Sequence, residues 1–171
     1  NIEVTHGFIA NIIKELYGDR FICSNVDKEN WWYFCDKYKI WNGVHSNVFE
    51  RKNSYWVKES LNIDKMSEAA ELLIGSHDFL GFSSKSKKKN TTKEIYNISI
   101  TSEGSMIIID FYGEGFLYNM VRIIVGTLIE IGQSKKDSGV IQRIFTSGIR
   151  EEAGFTAPGK GLCLVNVTYN E

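Results

Sequence analysis

Apolar residues recur at the spacing of an amphipathic helix in four segments of the chain. These segments are 5–18, 62–75, 117–132 and 138–145. In the second segment, Asn62 can cap the start and Gly75 can take the left-handed conformation at the end. The sequence therefore predicts four helices, the longest of which ends at Gly132.

Extended segments with alternating or clustered apolar residues lie between and after these helices. The predicted strands are 38–41, 55–57, 94–101, 106–112 and 161–169. The turn Glu103-Gly104 joins two of them into an antiparallel hairpin, and the last strand is expected to be buried on both faces near its start. Segment 20–36, which includes a run of four aromatic residues, shows no clear period.

Helices and strands interleave here without the regular βαβ alternation of a parallel sheet. The order predicts an α+β fold, in which a largely antiparallel mixed sheet is flanked by helices. With 171 residues and 19.5 kDa, the chain is long enough for one substantial domain or for two small lobes.

Composition excludes several classes of protein. The chain is 43% hydrophobic and 24% charged. Because its net charge is −1, any nucleic-acid-binding surface would have to be a local group of cations. The three cysteines and three histidines lack the spacing of a metal site, and no metal is expected. The longest apolar stretch, 117–131, contains Arg122 and Glu130, so no membrane span is expected and a reduced cytoplasmic setting is the default.

Two features carry candidate chemistry. Arg122 lies in the first turns of an otherwise apolar helix, where a buried guanidinium needs a carboxylate or phosphate partner, although an arginine reaching the surface also fits the spacing. A lysine-rich loop provides five cations that can contact an RNA backbone or simply be solvated. These candidate RNA-binding residues are Lys85, Lys87, Lys88, Lys89 and Lys93.

Four motifs in one order identify a family resemblance. They are AAELLIGSHDFLGFSS (69–84), KKKNTTKEIYNISI (87–100), FLYNMVRIIVGTLIEIG (116–132) and TAPGKGLCLVNVTY (156–169). Together they resemble the tRNA pseudouridine synthase A family over 37–169, and THGFIANIIKELYGDRF (5–21) is more weakly similar to its first long helix. By this resemblance, 37–171 is the C-terminal lobe of a pseudouridine-synthase-like fold and 1–36 a remnant of the N-terminal lobe.

The resemblance implies an isomerase that converts uridine to pseudouridine in the anticodon stem-loop of tRNA, as a homodimer and without metal or organic cofactor. In this family an aspartate attacks the nucleoside, and a neighbouring arginine keeps that carboxylate ionised and oriented. Arg122 matches the arginine of the family's Met-Val-Arg motif. An aromatic residue stacks on the target base, and Tyr38 is a candidate neighbour of that base.

The sequence departs from the family in two places. The Gly-Arg-Thr-Asp loop that carries the nucleophile has no counterpart after Phe21, and Asp36 aligns with the first aromatic of the family's Tyr-x-Tyr motif. Two explanations are open. In the first, the aspartate belongs to residues outside these 171, which is favoured by the start at Asn1 and by segment 25–36, where no pattern predicts an element. Alternatively, the protein has lost its nucleophile and only binds RNA.

Overall fold

A computed structural model describes residues 32–84 and 90–169. The helix expected at 5–18 and the side chains of Lys85, Lys87, Lys88 and Lys89 lie outside the described residues. The strands are β1 (Trp32–Trp41), β2 (Tyr55–Trp56), β3 (Gly75–Asp78), β4 (Thr92–Glu103), β5 (Met106–Gly113) and β6 (Leu162–Tyr169). The helices are α1 (Ile63–Glu71), α2 (Met120–Gly132) and α3 (Val140–Ser147).

The six strands form one sheet in the order β2-β1-β5-β4-β3. Strand β6 also pairs with β1, antiparallel over Trp32–Tyr38, while β2 pairs in parallel with the end of β1. All other pairings are antiparallel, and β4 and β5 form the hairpin predicted from the sequence. Its turn lies at 104–105, one residue later than the predicted Glu103-Gly104, because Glu103 still pairs with Met106. The predicted α+β fold with a largely antiparallel mixed sheet is confirmed.

Strand β1 begins earlier than its local sequence pattern indicates. The pattern predicts a strand at 38–41, but backbone pairing with β5 and β6 extends it back to Trp32. Strand β6 pairs with β1 from Trp32 onward and β5 pairs with it from Phe34 onward. These backbone hydrogen bonds hold the segment extended although its sequence shows no strand periodicity. The proposed division between residues 36 and 37 falls inside this strand and stays a prediction.

One face of the sheet packs on the helices. Tyr38, Ile40, Ile109 and Phe111 alternate along β1 and β5 and are fully buried. Helix α2 lies in this core, and only Arg122 and Glu130 among its residues are not buried. The part of the chain that the structure describes has no helix long and apolar enough to cross a membrane.

Two local expectations need correction. Helix α1 is capped by the Asn62 side chain as predicted, but it ends at Glu71, and Gly75, with φ +107°, instead opens β3. The start of β6 is not buried on both faces, because Leu164 and Val165 are more than half exposed. This strand lies at the edge of the sheet, where no further strand covers it in the described residues.

Candidate active site around Arg122

Arg122 is held in place by backbone and side-chain hydrogen bonds in the first turn of α2. Its Nε donates to the Ala157 carbonyl at 2.6 Å, and its Nη1 donates to Asn119 Oδ1 at 2.9 Å. Its backbone carbonyl in turn accepts the N–H of Ala157 at 3.1 Å. The helix and the segment after α3 therefore fix the guanidinium from two sides, and its ordering entropy is lost on folding rather than on binding.

Glycines allow this segment to lie directly on α2. A Cβ on Gly126 would collide with the Phe155 carbonyl oxygen, and one on Gly154 would come within 2.5 Å of the Thr127 nitrogen. The Gly154 N–H donates to Thr127 Oγ1 at 2.8 Å, so the buried hydroxyl is satisfied. This close approach brings Ala157 within reach of Arg122.

Two further cations hold the same segment. Lys136 Nζ donates to the carbonyl oxygens of Glu152 and Ala153 at 2.6 and 3.2 Å. Arg150 donates to the Gly154 carbonyl at 2.9 Å and to Thr156 Oγ1 at 3.0 Å. These bonds restrain the chain immediately before Ala157, which supports the geometry at Arg122.

Tyr38 lies beneath the turn that follows Ala157. Its ring is fully buried, and its hydroxyl donates to the Pro158 carbonyl at 2.6 Å. Burial raises the pKa of Tyr38 well above its ordinary value; the neighbouring Tyr55 adds to this rise and Arg122 opposes it. In this arrangement the Tyr38 ring is buried and its hydroxyl supports the turn. Its place as a neighbour of the target base stays a prediction.

No carboxylate within residues 32–84 and 90–169 lies at ion-pair distance from Arg122. Its Nη2 also makes no hydrogen bond there, because the two bonds of the side chain use Nε and Nη1. A guanidinium with a free, partly exposed edge can bind a carboxylate or a phosphate oxygen. The structure thus leaves Arg122 chemically available at the position where the sequence predicts the nucleophile's partner.

Asp36 is a residue whose environment the sequence pattern does not predict. It alternates with Tyr38 on the sheet face that packs on the helices, and it lies opposite Phe111 of β5. Burial raises the pKa of its carboxyl to about 6. The available signal in the sequence is an acid that follows the aromatic run 31–34 and comes directly before Lys37.

The base of the lysine-rich loop adjoins Arg122. On one side, the Ser84 N–H donates to the Tyr118 carbonyl at 3.2 Å, and Asn119 Nδ2 donates to Ser84 Oγ at 3.2 Å. Since Asn119 also accepts from Arg122, one amide links the loop and the arginine. Sequence reasoning assigns Asn119 no role, although its spacing three residues before Arg122 places the two on one helix face.

On its other side the loop is anchored by an ion pair. Lys93 Nζ lies 3.5 Å from Glu114 Oε1, an oxygen that also accepts the Glu94 N–H at 3.3 Å. Glu114 lies between two glycines that turn the chain towards α2, and Gly115 takes φ +144°. Of the five predicted RNA-binding lysines, Lys93 is therefore the one whose position is described, and it pairs with an acid.

No metal site is found among the described side chains, where His, Cys, Asp and Glu form no group of three that could hold an ion. The site therefore offers one positioned arginine, its amide and carbonyl partners, and an adjacent basic loop. These groups suit the recognition of anionic oxygens.

Comparison with known proteins identifies relatives of the chain. A family model described as tRNA pseudouridine synthase matches residues 69–170. The chain is 42% identical over 134 residues to tRNA pseudouridine synthase A of Geotalea uraniireducens, covering 78% of this chain and 55% of that protein. It is 45% identical over 133 residues to tRNA pseudouridine synthase A 2 of a Bacillus cereus strain, with 77% and 54% covered.

A longer match is found in a further Bacillus species. The tRNA pseudouridine synthase A of Bacillus sp. (strain KSM-64) is 44% identical over 183 residues, covering 99% of this chain and 74% of that protein. The chain spans about half the length of the Geotalea and B. cereus relatives. By the family match and by identity along nearly its whole length, the chain belongs to the tRNA pseudouridine synthase A family.

Proposed function

We propose that this chain is the arginine-bearing part of a tRNA pseudouridine synthase that isomerises uridine to pseudouridine in the anticodon stem-loop. The nucleophilic aspartate belongs to residues outside these 171, and Arg122 is its salt-bridge partner. The protein acts as a cytoplasmic homodimer without a cofactor. Its substrate and partner are those implied by the family, whose named relatives are tRNA pseudouridine synthases.

The observation that carries this proposal is the fixed but incompletely bonded guanidinium of Arg122. Nε and Nη1 are engaged by Ala157 and Asn119, which leaves Nη2 for an incoming carboxylate. A positioned arginine lowers the pKa of such a carboxylate and holds it by charge-assisted hydrogen bonds. The aspartate then stays ionised and aimed at the nucleoside, as nucleophilic catalysis requires.

The isomerisation needs no co-substrate, because substrate and product have the same atoms. The carboxylate attacks the nucleoside, the N–C glycosidic bond breaks, and the uracil rotates. A C–C bond then forms between C5 of the same base and the sugar as the aspartate is released; the C5 proton is lost to water, and the freed ring nitrogen takes up a proton. The target base must leave the helical stack to reach the carboxylate. Arg122 acts here on the aspartate. The hydrogen bonds to Ala157 hold the guanidinium in position.

The lysine-rich loop supplies the proposed contact with the tRNA backbone. Its two ends are tied to Asn119 and Glu114, which both lie just before the start of α2 in the chain. Basic residues in this loop would hold phosphates and set the register of the stem-loop without reading sequence. The bond between Ser84 and Asn119, which also binds Arg122, supports the assignment of tRNA as substrate.

The first test is the intact mass of the protein as its own cell makes it. A mass above the 19.5 kDa of the 171 residues is expected, because the aspartate loop needs additional chain. The alignment with the Bacillus sp. relative supports this expectation, because it extends over 183 positions whereas this chain has 171 residues. A mass of 19.5 kDa together with tRNA binding but no pseudouridine formation would instead identify a non-catalytic RNA-binding protein.

The second test is the variant Arg122→Ala of that same natural protein, assayed for pseudouridine in unmodified tRNA by tritium release. Turnover should fall by at least about 100-fold, since a pre-positioned electrostatic partner is removed. Arg122→Lys should also be impaired, because an ammonium cannot reproduce the planar fork. Arg143→Ala, which removes an exposed arginine of α3 that is paired with Asp137, is the control and should keep full activity. Turnover retained by Arg122→Ala would overturn the proposal.

A further inference from the structure

The loop between β1 and β2 exposes apolar side chains to an unusual degree. Phe49 is 93% exposed, and Val44 and Val48 are 77% and 67% exposed. A fully exposed phenylalanine is costly to hydrate, and clusters of this kind mark interaction sites. Nothing in the role proposed for Arg122 uses this loop.

Two tryptophans hold the backbone of the loop. Trp41 Nε1 donates to the His45 carbonyl at 2.7 Å, and Trp56 Nε1 donates to the Gly43 carbonyl at 3.0 Å. Both indoles belong to strands of the sheet, so the loop is bonded to rigid elements on either side. Its shape is therefore built into the fold.

A second set of bonds fixes the backbone at Phe49. Asn47 Oδ1 accepts the N–H groups of Phe49 and Glu50 at 2.9 and 3.3 Å, and Ser54 Oγ donates to the Glu50 carbonyl at 2.9 Å. The backbone that carries the exposed ring is thus ordered before any ligand arrives. Binding to this ring loses little conformational entropy.

The surface around the ring is basic. Arg51 and Lys52 are exposed, while Glu50, the single acid between residues 43 and 54, is partly buried. Lys160 Nζ donates to the Arg51 carbonyl at 3.3 Å, which joins the loop to the turn beside Arg122. In that turn, a Cβ on Gly159 would lie 3.9 Å from the arginine's guanidinium carbon.

We propose that the loop between β1 and β2 is a second RNA contact, in which Phe49 stacks on an unpaired base while Arg51, Lys52 and Lys160 bind phosphates. An exposed aromatic with cations two or three residues away, within about 10 Å of backbone, matches the alternation of base and phosphate along a single strand. This inference rests on the proposed function, because it takes RNA as the ligand.

The same features argue against a second copy of the chain as the occupant. A phenylalanine and two valines fall short of the roughly 800 Å² that a stable interface buries on each partner. A two-fold axis through the loop would also bring Arg51 and Lys52 close to their own copies, and like charges repel. Single-stranded RNA, in contrast, offers an unpaired base to the ring and phosphates to the cations.

The test measures the Kd of the purified natural protein for an unmodified, fluorescently labelled tRNA transcript, with no turnover required. Phe49→Ala should weaken binding by about 5- to 100-fold, as expected when an aromatic residue that stacks on one base is replaced by alanine. Arg51→Ala with Lys52→Ala should lower the slope of log Kd against log salt by about one to two. Leu72→Ala, another exposed apolar residue, should leave the Kd unchanged.

Two conservative variants separate stacking from simple apolar contact. Phe49→Tyr keeps the π face and should bind within about twofold of wild type, whereas Phe49→Leu should bind as weakly as Phe49→Ala. Wild-type affinity in Phe49→Ala or Phe49→Leu would overturn the stacking contact. A change of oligomeric state in Phe49→Ala, measured by sedimentation, would also overturn it and identify a protein interface.

The failure of this inference differs from a failure of the proposed function. A wild-type protein that binds no tRNA overturns both. A protein that binds tRNA through Phe49 but forms no pseudouridine supports the loop contact and contradicts only the proposed catalysis.

Discussion

Asp36 is a carboxylate on the sheet face that packs on the helices, at a position where the family resemblance predicts an aromatic residue. It faces the same side of the sheet as Tyr38, and burial raises its pKa to about 6. Between the ordinary aspartate pKa near 3.8 and this value, the folded protein binds more protons than the unfolded chain. Stability attributable to Asp36 is therefore lost as pH rises through this range.

Asp36→Asn should remove this pH-dependent loss of stability, because the amide has no charge to desolvate. The variant should be more stable than wild type at pH 7, by about 1–2 kcal/mol once solvent screening of the partly exposed carboxylate is allowed for. At pH 4 the two should differ little. Urea unfolding at both pH values measures the difference.

Glu68→Gln on the exposed side of α1 is the control for this comparison, and its pH profile should follow that of wild type. A pH 7 stability of Asp36→Asn equal to or below that of wild type would contradict the raised pKa.

At this scale the sequence predicts some residues of the site and misses others for a physical reason. Arg122 is singled out by its place in the Met-Val-Arg motif, because the helical spacing alone also fits an arginine that reaches the surface. Ala157 is missed because it contributes only backbone atoms, which no residue type reveals. Phe49 is missed because its exposure depends on how the loop folds.

Among the elements, α2 packs directly against the segment that follows α3, which contains Phe155 and Ala157. The missing side chain at Gly126 is what lets the Phe155 carbonyl pass at contact distance. Any Cβ there must push the segment outward, and with it the bonds that Ala157 makes to Arg122.

Gly126→Ala should therefore destabilise the protein by about 2–3 kcal/mol, as overpacking does, despite the better helix propensity of alanine. Thermal unfolding followed by circular dichroism measures the effect. Gly159→Ala is the matched control, because the nearest atoms to its Cβ lie 3.9 Å or more away and the change should be nearly neutral. Equal unfolding midpoints for the two variants would show that the segment moves freely away from α2.

The elements also show where sequence patterns succeed. The β4–β5 hairpin and α2 are predictable, because a two-residue turn and a long apolar periodicity are local signals. The start of β1 is not, since it is held by strands that lie far along the chain. Local sequence patterns thus predict the hairpin and the long helix, whereas tertiary pairing determines where β1 begins.

For the whole molecule, the net charge of −1 makes binding to tRNA depend on local groups of cations. Lys87→Ala, Lys88→Ala and Lys89→Ala together should weaken tRNA binding and flatten its salt dependence, by about 0.7–0.9 in slope for each phosphate that is no longer neutralised. Titration of tRNA at several salt concentrations gives both quantities. Lys135→Ala, at an exposed position after α2, should change neither. Unchanged affinity in the triple variant would make the loop a solvated connection.

The pairing of β1 with β6 has a consequence for how the protein folds. Tyr38 and Pro158, which share a hydrogen bond, are 120 residues apart in the chain. Contacts of such high sequence separation form late, because a large loop must close before they contribute any stability. The arginine's surroundings, which include the turn above Tyr38, are thus completed only when the edge strand docks. Recovery of RNA affinity during refolding should then lag behind recovery of helical circular dichroism, and an RNA-competent molecule is one whose folding has finished.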